Sequence, residues 1–156
     1  MTTSSKRWVR AGLVATAAIA GVVAAAPAAG AAGADYMEIC QSAKVSCQNG
    51  AKVSGPGSYD RCGTTTAAAS YTQVCVEYDG DVVYVKDGSA DGYSSFGKVS
   101  STSGTAYRFC RNPHGAGTWA KCDFDWSEAA DKQVYGGVKL SYTNFNDQYL
   151  FSFTNG

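Results

Sequence analysis

Six cysteines constrain this chain more than any other feature: Cys40, Cys47, Cys62, Cys75, Cys110 and Cys122. The set is even and no cysteine precedes residue 40. In an oxidising compartment such a set reads as three disulfides. Cross-links of this kind let a short domain hold its fold around a modest core. Fifteen connectivities are open to six cysteines, and spacing alone does not choose among them. Zinc is a poor alternative. Tetrahedral sites draw on C-x2-C pairs and histidines, whereas this chain has no C-x2-C pair and a single histidine, His114.

The residues before the first cysteine indicate the compartment. Lys6, Arg7 and Arg10 lead into an uncharged Ala/Val-rich run from Ala11 to Ala26, followed by small residues from Pro27 to Ala34. This is the plan of a secretory signal, and Ala32-Gly33-Ala34 fits the cleavage rule with a mature start at Asp35. Pro27, Gly30 and Gly33 interrupt the apolar run, which argues against a retained membrane anchor. The chain therefore divides into residues 1–34, a signal peptide, and residues 35–156, one domain. The expected location is secreted and extracellular. The zero net charge hides this division, because only 10 of the 13 basic side chains lie from Asp35 onward, against all 13 acidic ones. A weakly acidic domain lacks the electrostatic footprint of a nucleic-acid binder.

From Asp35 onward the composition favours strands. There are 10 Val, 2 Leu and 1 Ile, against 18 aromatic residues. Valine, threonine and aromatics suit a pleated, half-buried surface rather than a helical stripe. Gln48 to Ser70 reads as one long Gly/Ser/Thr/Pro-rich loop, preceded by a short strand at Ala43–Cys47. Tyr71 to Tyr78 alternates, Asp79-Gly80 is a two-residue hairpin signal, and Asp81 to Lys86 returns. Tyr93 to Ser101 is a further strand. Thr105 to Asn112 and Thr118 to Trp126 flank a Pro113–Gly117 loop as a hairpin. Ser127–Ala130 forms a single turn. Gln133 to Tyr142 is a strand bulged at Gly136-Gly137, and a last strand carries Tyr149, Phe151 and Phe153. The pattern predicts an all-β fold: a small antiparallel β-sandwich or flattened barrel of about 7–8 strands, stapled by three disulfides. Cys110 and Cys122 lie equally far from Ala116, so a cross-strand bridge between them is the first pairing expected. Cys62–Cys75 and Cys40–Cys47 follow by elimination.

The chemistry-bearing residues are few. His114 lacks a G-x-S-x-G partner motif, and an exposed hairpin tip accounts for it. Asp123 and Asp125, two apart on one strand, project from one face. They cannot flank a glycosidic bond from opposite sides without a third carboxylate. Asp87 and Asp91 supply fragments of a Ca²⁺ loop without its ligand spacing, and Asp-Gly turns explain them as well. No cofactor motif is present. Ten tyrosines exceed what a small core encloses, so Tyr59, Tyr93 and Trp119, with the His114 tip, form a candidate binding surface.

The overall plan combines an Ala-rich signal with a weakly acidic Tyr/Gly/Thr-rich domain bearing six cysteines. It resembles small secreted proteins of high-GC Gram-positive bacteria. Spore-surface proteins, protease inhibitors and small non-catalytic subunits of secreted toxin assemblies are among these. The expected function is a secreted, non-enzymatic binding or assembly module whose partner is another secreted or cell-surface protein. A protease inhibitor presenting the 48–70 loop is a second expectation. A small hydrolase or toxin using His114 with Asp123 or Asp125 is a third.

Overall fold

The computed structural model describes residues 37–66 and 71–154. The expected export segment and the start at Asp35 lie outside them. Among the described residues, ten strands form two five-stranded sheets. The first sheet runs, in spatial order, β1 (Val45–Asn49), β7 (Tyr107–Asn112), β6 (Ser94–Ser101), β9 (Lys132–Lys139) and β10 (Phe145–Phe153). The second runs β2 (Ala51–Val53), β8 (Trp119–Asp123), β5 (Val82–Asp87), β4 (Thr72–Glu77) and β3 (Arg61–Thr64). Neighbours are antiparallel throughout, except that β1 lies parallel to β7.

The core between the sheets is built of the expected valines and aromatics. Val74 and Val76 on β4 and Val83 and Val85 on β5 meet Val99, Val134, Phe151 and Phe153 from the first sheet. Two glycines let the sheets approach. Gly97 and Gly136 are register partners on β6 and β9. A Cβ on Gly97 would come within 2.9 Å of Val74 and 3.1 Å of Val85. Side chains here would hold the sheets apart.

All six cysteines are paired, as Cys40–Cys47, Cys62–Cys75 and Cys110–Cys122. Cys62 and Cys75 are direct register partners on β3 and β4. The Cys110–Cys122 bridge forms for a different reason from the one expected. Its strands are not a hairpin: β7 belongs to the first sheet and β8 to the second. The disulfide therefore pins sheet to sheet through the core.

Other local expectations are corrected. The 48–70 segment is not one loop. Gln48 and Asn49 end β1, Gly50 carries the chain across to β2 in the other sheet, and β3 follows a loop of residues 54–60. These short strands raise the strand number above seven or eight. The β4–β5 connection spans four residues, since Glu77 and Val82 are the last paired positions. Its left-handed residue is Asp81, at φ 55°, rather than Gly80. The bulge expected at Gly136-Gly137 lies across the ladder, between Tyr149 and Phe151 on β10. The single turn at Ser127–Ala130 is present, closed by Ala130 N–H donating to the Ser127 carbonyl at 3.3 Å.

A second, smaller core sits outside the first sheet. A 3₁₀ turn, Glu38–Gln41, is tied down by Cys40–Cys47 and by Glu38 N–H donating to the Tyr142 carbonyl at 2.8 Å. Met37 and Ile39 pack there against Phe96, Phe109 and Phe145, whose ring centres lie 5.6–5.8 Å apart. The N-terminal turn thus covers one end of that outer face.

Candidate functional site

The other end of the same outer face carries a different set of side chains. Directly paired residues project to one side of a sheet. Across four strands, register therefore sets Phe109, Lys98, Tyr135 and Tyr149 in one row, with Tyr107, Ser100 and Gln133 in the next. The Lys98 ammonium lies over the Tyr135 ring, 3.8 Å from its centre, and 5.8 Å from the centre of Tyr107. It also pairs with the Asp147 carboxylate. Tyr135 is held on two further sides. Its hydroxyl donates to Gln133 Oε1 at 2.7 Å, and Tyr149 meets its ring edge-on at 5.7 Å.

These residues leave a hollow of about 410 Å³ over β6. Ser100 and Lys98 line it from β6, Tyr107 stands on one side and Tyr135 and Gln133 on the other. Tyr107 is 38% exposed and Tyr149 50%. Aromatic side chains fixed in place and open to water can bind a partner with little loss of rotamer freedom.

The residues singled out from sequence lie elsewhere and on separate segments. Tyr59 is exposed on the 54–60 loop, and Tyr93 is exposed just ahead of β6. Trp119 opens β8, half buried against Val53 and the Tyr84 group, with the Lys86 ammonium 5.9 Å from its ring centre. His114 is exposed in the loop before β8, and its Nε2 lies 2.8 Å from the Gly50 carbonyl oxygen. A carbonyl only accepts, so Nε2 carries the proton of that bond. The ring thereby anchors its loop to the β1–β2 crossing.

Among the described residues no hydrogen bond joins His114 to Asp123 or Asp125. The His114 ring bonds the Gly50 carbonyl, whereas Asp123 is the last residue of β8. Asp125 lies beyond the strand. Asp123 and Asp125 line a separate hollow of about 460 Å³ with Gln48 and Arg108. Arg108 is occupied there. Its Nε donates to the Asp125 carbonyl at 2.9 Å and its Nη1 to the Thr105 carbonyl at 3.0 Å. Gln48 makes a reciprocal pair with the Asp123 backbone, accepting from its N–H at 3.2 Å and donating to its carbonyl at 2.5 Å. These groups close one end of the sandwich.

Asp87 is buried, and Ser89 N–H donates to its Oδ1 at 3.2 Å. Burial pushes its carboxyl above the usual range, and the nearby Asp91 charge adds to this. Asp91 Oδ1 accepts from Tyr93 N–H at 2.9 Å. Among the described residues, no three His, Cys, Asp or Glu side chains gather as a metal site. The two carboxylates shape the turn leading into β6.

Sequence reasoning missed the Lys98–Tyr135 group. Alternation along each strand was the available signal, but only the register between β6 and β9 joins the two residues. No family model, no curated protein and no solved structure matches this chain.

Proposed function

We propose that this chain is a secreted bacterial protein without enzymatic activity, which recognises another secreted or cell-surface component through the tyrosine face of its first sheet. One observation carries the reading. Lys98, Tyr135 and Tyr149 lock one another in place on a sheet face that the N-terminal turn leaves open. Surfaces rich in rigid, amphipathic tyrosine are suited to recognition. The three disulfides suggest an oxidising environment outside the cytoplasm, and the first 34 residues carry the plan of an export signal. Rigidity fits the role, because a cross-linked sandwich loses little freedom when it docks.

The test compares the wild type with a Tyr107→Ala/Tyr149→Ala variant. Each is immobilised and exposed to culture fluid and to isolated cell envelopes. The expected result is a component retained by the wild type and lost from the variant, with thermal stability of the two proteins alike. Identical retention by both proteins overturns the reading.

A further inference from the structure

We infer that the hollow over β6 binds a neutral carbohydrate; the inference rests on the recognition role proposed for the tyrosine face. A sugar ring presents two surfaces. Its C–H faces are apolar, and its rim is set with hydroxyls that donate and accept. The hollow offers both complements. Tyr107 stands on one side and Tyr135 with Gln133 on the other, and Ser100 lies between them on β6; the hydroxyl and the carboxamide each donate and accept. The volume of about 410 Å³ falls in the range of ligand sites. Lys98 covers one face of the Tyr135 ring, and Tyr149 and Gln133 hold it from other sides, so this wall is fixed before a ligand arrives and the exposed Tyr107 ring offers the stacking surface.

Charge narrows the class. Lys98 is the cation of this hollow, and Asp147 neutralises it. Asp131 also lines the hollow. The local balance is therefore neutral to negative, which disfavours polyanions such as uronate polymers, nucleic acids or phosphorylated chains. A peptide is less well served. The backbone of β6 is paired by β7 on one side and β9 on the other. No free edge is available here for strand addition. The polar floor provides no deep apolar pocket for an anchoring side chain.

Affinity electrophoresis tests this with the protein purified from culture fluid. The gels contain soluble glucan, mannan, galactan or xylan, with polygalacturonate as the acidic comparison. At least one neutral polymer is expected to retard the wild type. Tyr107→Ala and Tyr135→Ala should each weaken that retardation about tenfold or more, while Lys52→Ala, exposed on the second sheet, leaves it unchanged. Ser100→Trp fills the hollow without removing a packed ring, and should abolish retardation at unaltered melting temperature. Retardation by polygalacturonate alone, or by no polymer, overturns the inference, as does retardation that survives Ser100→Trp. Envelope capture separates this from the broader reading. Capture that persists after enzymatic stripping of glycans but is lost in Tyr107→Ala/Tyr149→Ala overturns the carbohydrate alone and points to a protein partner. Capture indifferent to that variant overturns both.

Discussion

Asn112 Nδ2 donates to the Val85 carbonyl at 3.1 Å, so a side chain of the first sheet is bonded to the backbone of the second. The same amide donates to the Thr118 carbonyl at 2.8 Å. Its Oδ1 accepts from His114 N–H at 3.0 Å, and Thr118 Oγ1, which donates to the Gly115 carbonyl at 2.5 Å, lies 3.3 Å from it. Both donors of the carboxamide and its oxygen are used, in a residue fully buried from water. One side chain thus joins the sheets and shapes the loop that carries His114.

Asn112→Ala removes these bonds; the buried Val85 carbonyl loses a donor, while the half-buried Thr118 carbonyl keeps the Asp87 N–H at 3.1 Å. The penalty falls on the groups left behind as much as on the bonds lost. The expected destabilisation is about 2–4 kcal/mol. Urea unfolding monitored by tryptophan fluorescence checks it, with an unchanged denaturant slope. A midpoint equal to the wild type would show that water replaces the amide at no loss.

Gly97→Ala places a methyl group between the sheets, 2.9 Å from Val74 Cγ1, 3.1 Å from Val85 and 3.2 Å from Val83. Those valines lie on the central strands β4 and β5 and are fully buried, so they have little room to yield. Overpacking of this kind destabilises by about 1–3 kcal/mol. Gly97→Ala/Val74→Ala, which makes the room, should recover part of that loss. Equal stability of wild type and Gly97→Ala in urea would mean that the sheets separate freely.

Much of this architecture was legible along the strands and little of it across them. Alternation of Val74, Val76 and Tyr78 marked β4 and its core face; β5 was legible as the returning strand but not by face, since Val82 to Val85 is buried throughout. Cys62–Cys75 came out as expected. Cys110–Cys122 came out by a route the chain does not reveal, since nothing local in Thr118–Trp126 says that it joins the opposite sheet. β2 and β3 were hidden in a Gly/Ser-rich stretch, where pairing with β8 and β4 overrides weak local preference. The Lys98–Tyr135 contact depends on the register of strands far apart in sequence, and one chain read alone does not fix that register.

Replacing Cys110 and Cys122 by Ala removes the covalent link between the sheets. The bridge closes a sequence separation of 12, for which loop closure in the unfolded chain implies about 3 kcal/mol. Two fully buried sulfur positions also lose packing. Removing Cys40 and Cys47, separated by 7, should cost less and act locally, freeing the turn over Phe96, Phe109 and Phe145. Hydrogen exchange distinguishes the two. Exchange should rise across β7 and β8 in the first variant, and around residues 38–49 in the second.

Asp87 sets a pH dependence whose sign follows from its burial. Its carboxyl is raised above the usual value, so the folded state holds the proton more tightly than the unfolded chain. The stability this contributes is fully present below the unfolded pKa and is lost as pH rises through the folded one. Asp87→Asn keeps an acceptor for Ser89 N–H and removes the buried charge. The variant should therefore gain on the wild type as pH rises above about 4, the ordinary carboxyl value. Asp81, also raised by burial, gives both proteins a remaining slope of the same sign. Parallel melting-temperature curves for the two proteins across this range would exclude Asp87 as a contributor.

The Lys98–Tyr135 contact is the energetic test of the exposed face. The ammonium lies 3.8 Å from the ring centre, and the lysine side chain is only 13% exposed. A partly desolvated cation over an aromatic face is worth about 1–2 kcal/mol. The Asp147 pair confounds a single substitution, because Lys98→Met also strands that carboxylate. A double-mutant cycle of Lys98→Met and Tyr135→Leu isolates the ring contact. The expected coupling is about 1 kcal/mol, largely retained in high salt, since the contact is shielded from solvent. A coupling within error of zero would mean that Tyr135 is held by Gln133 and Tyr149 rather than by Lys98.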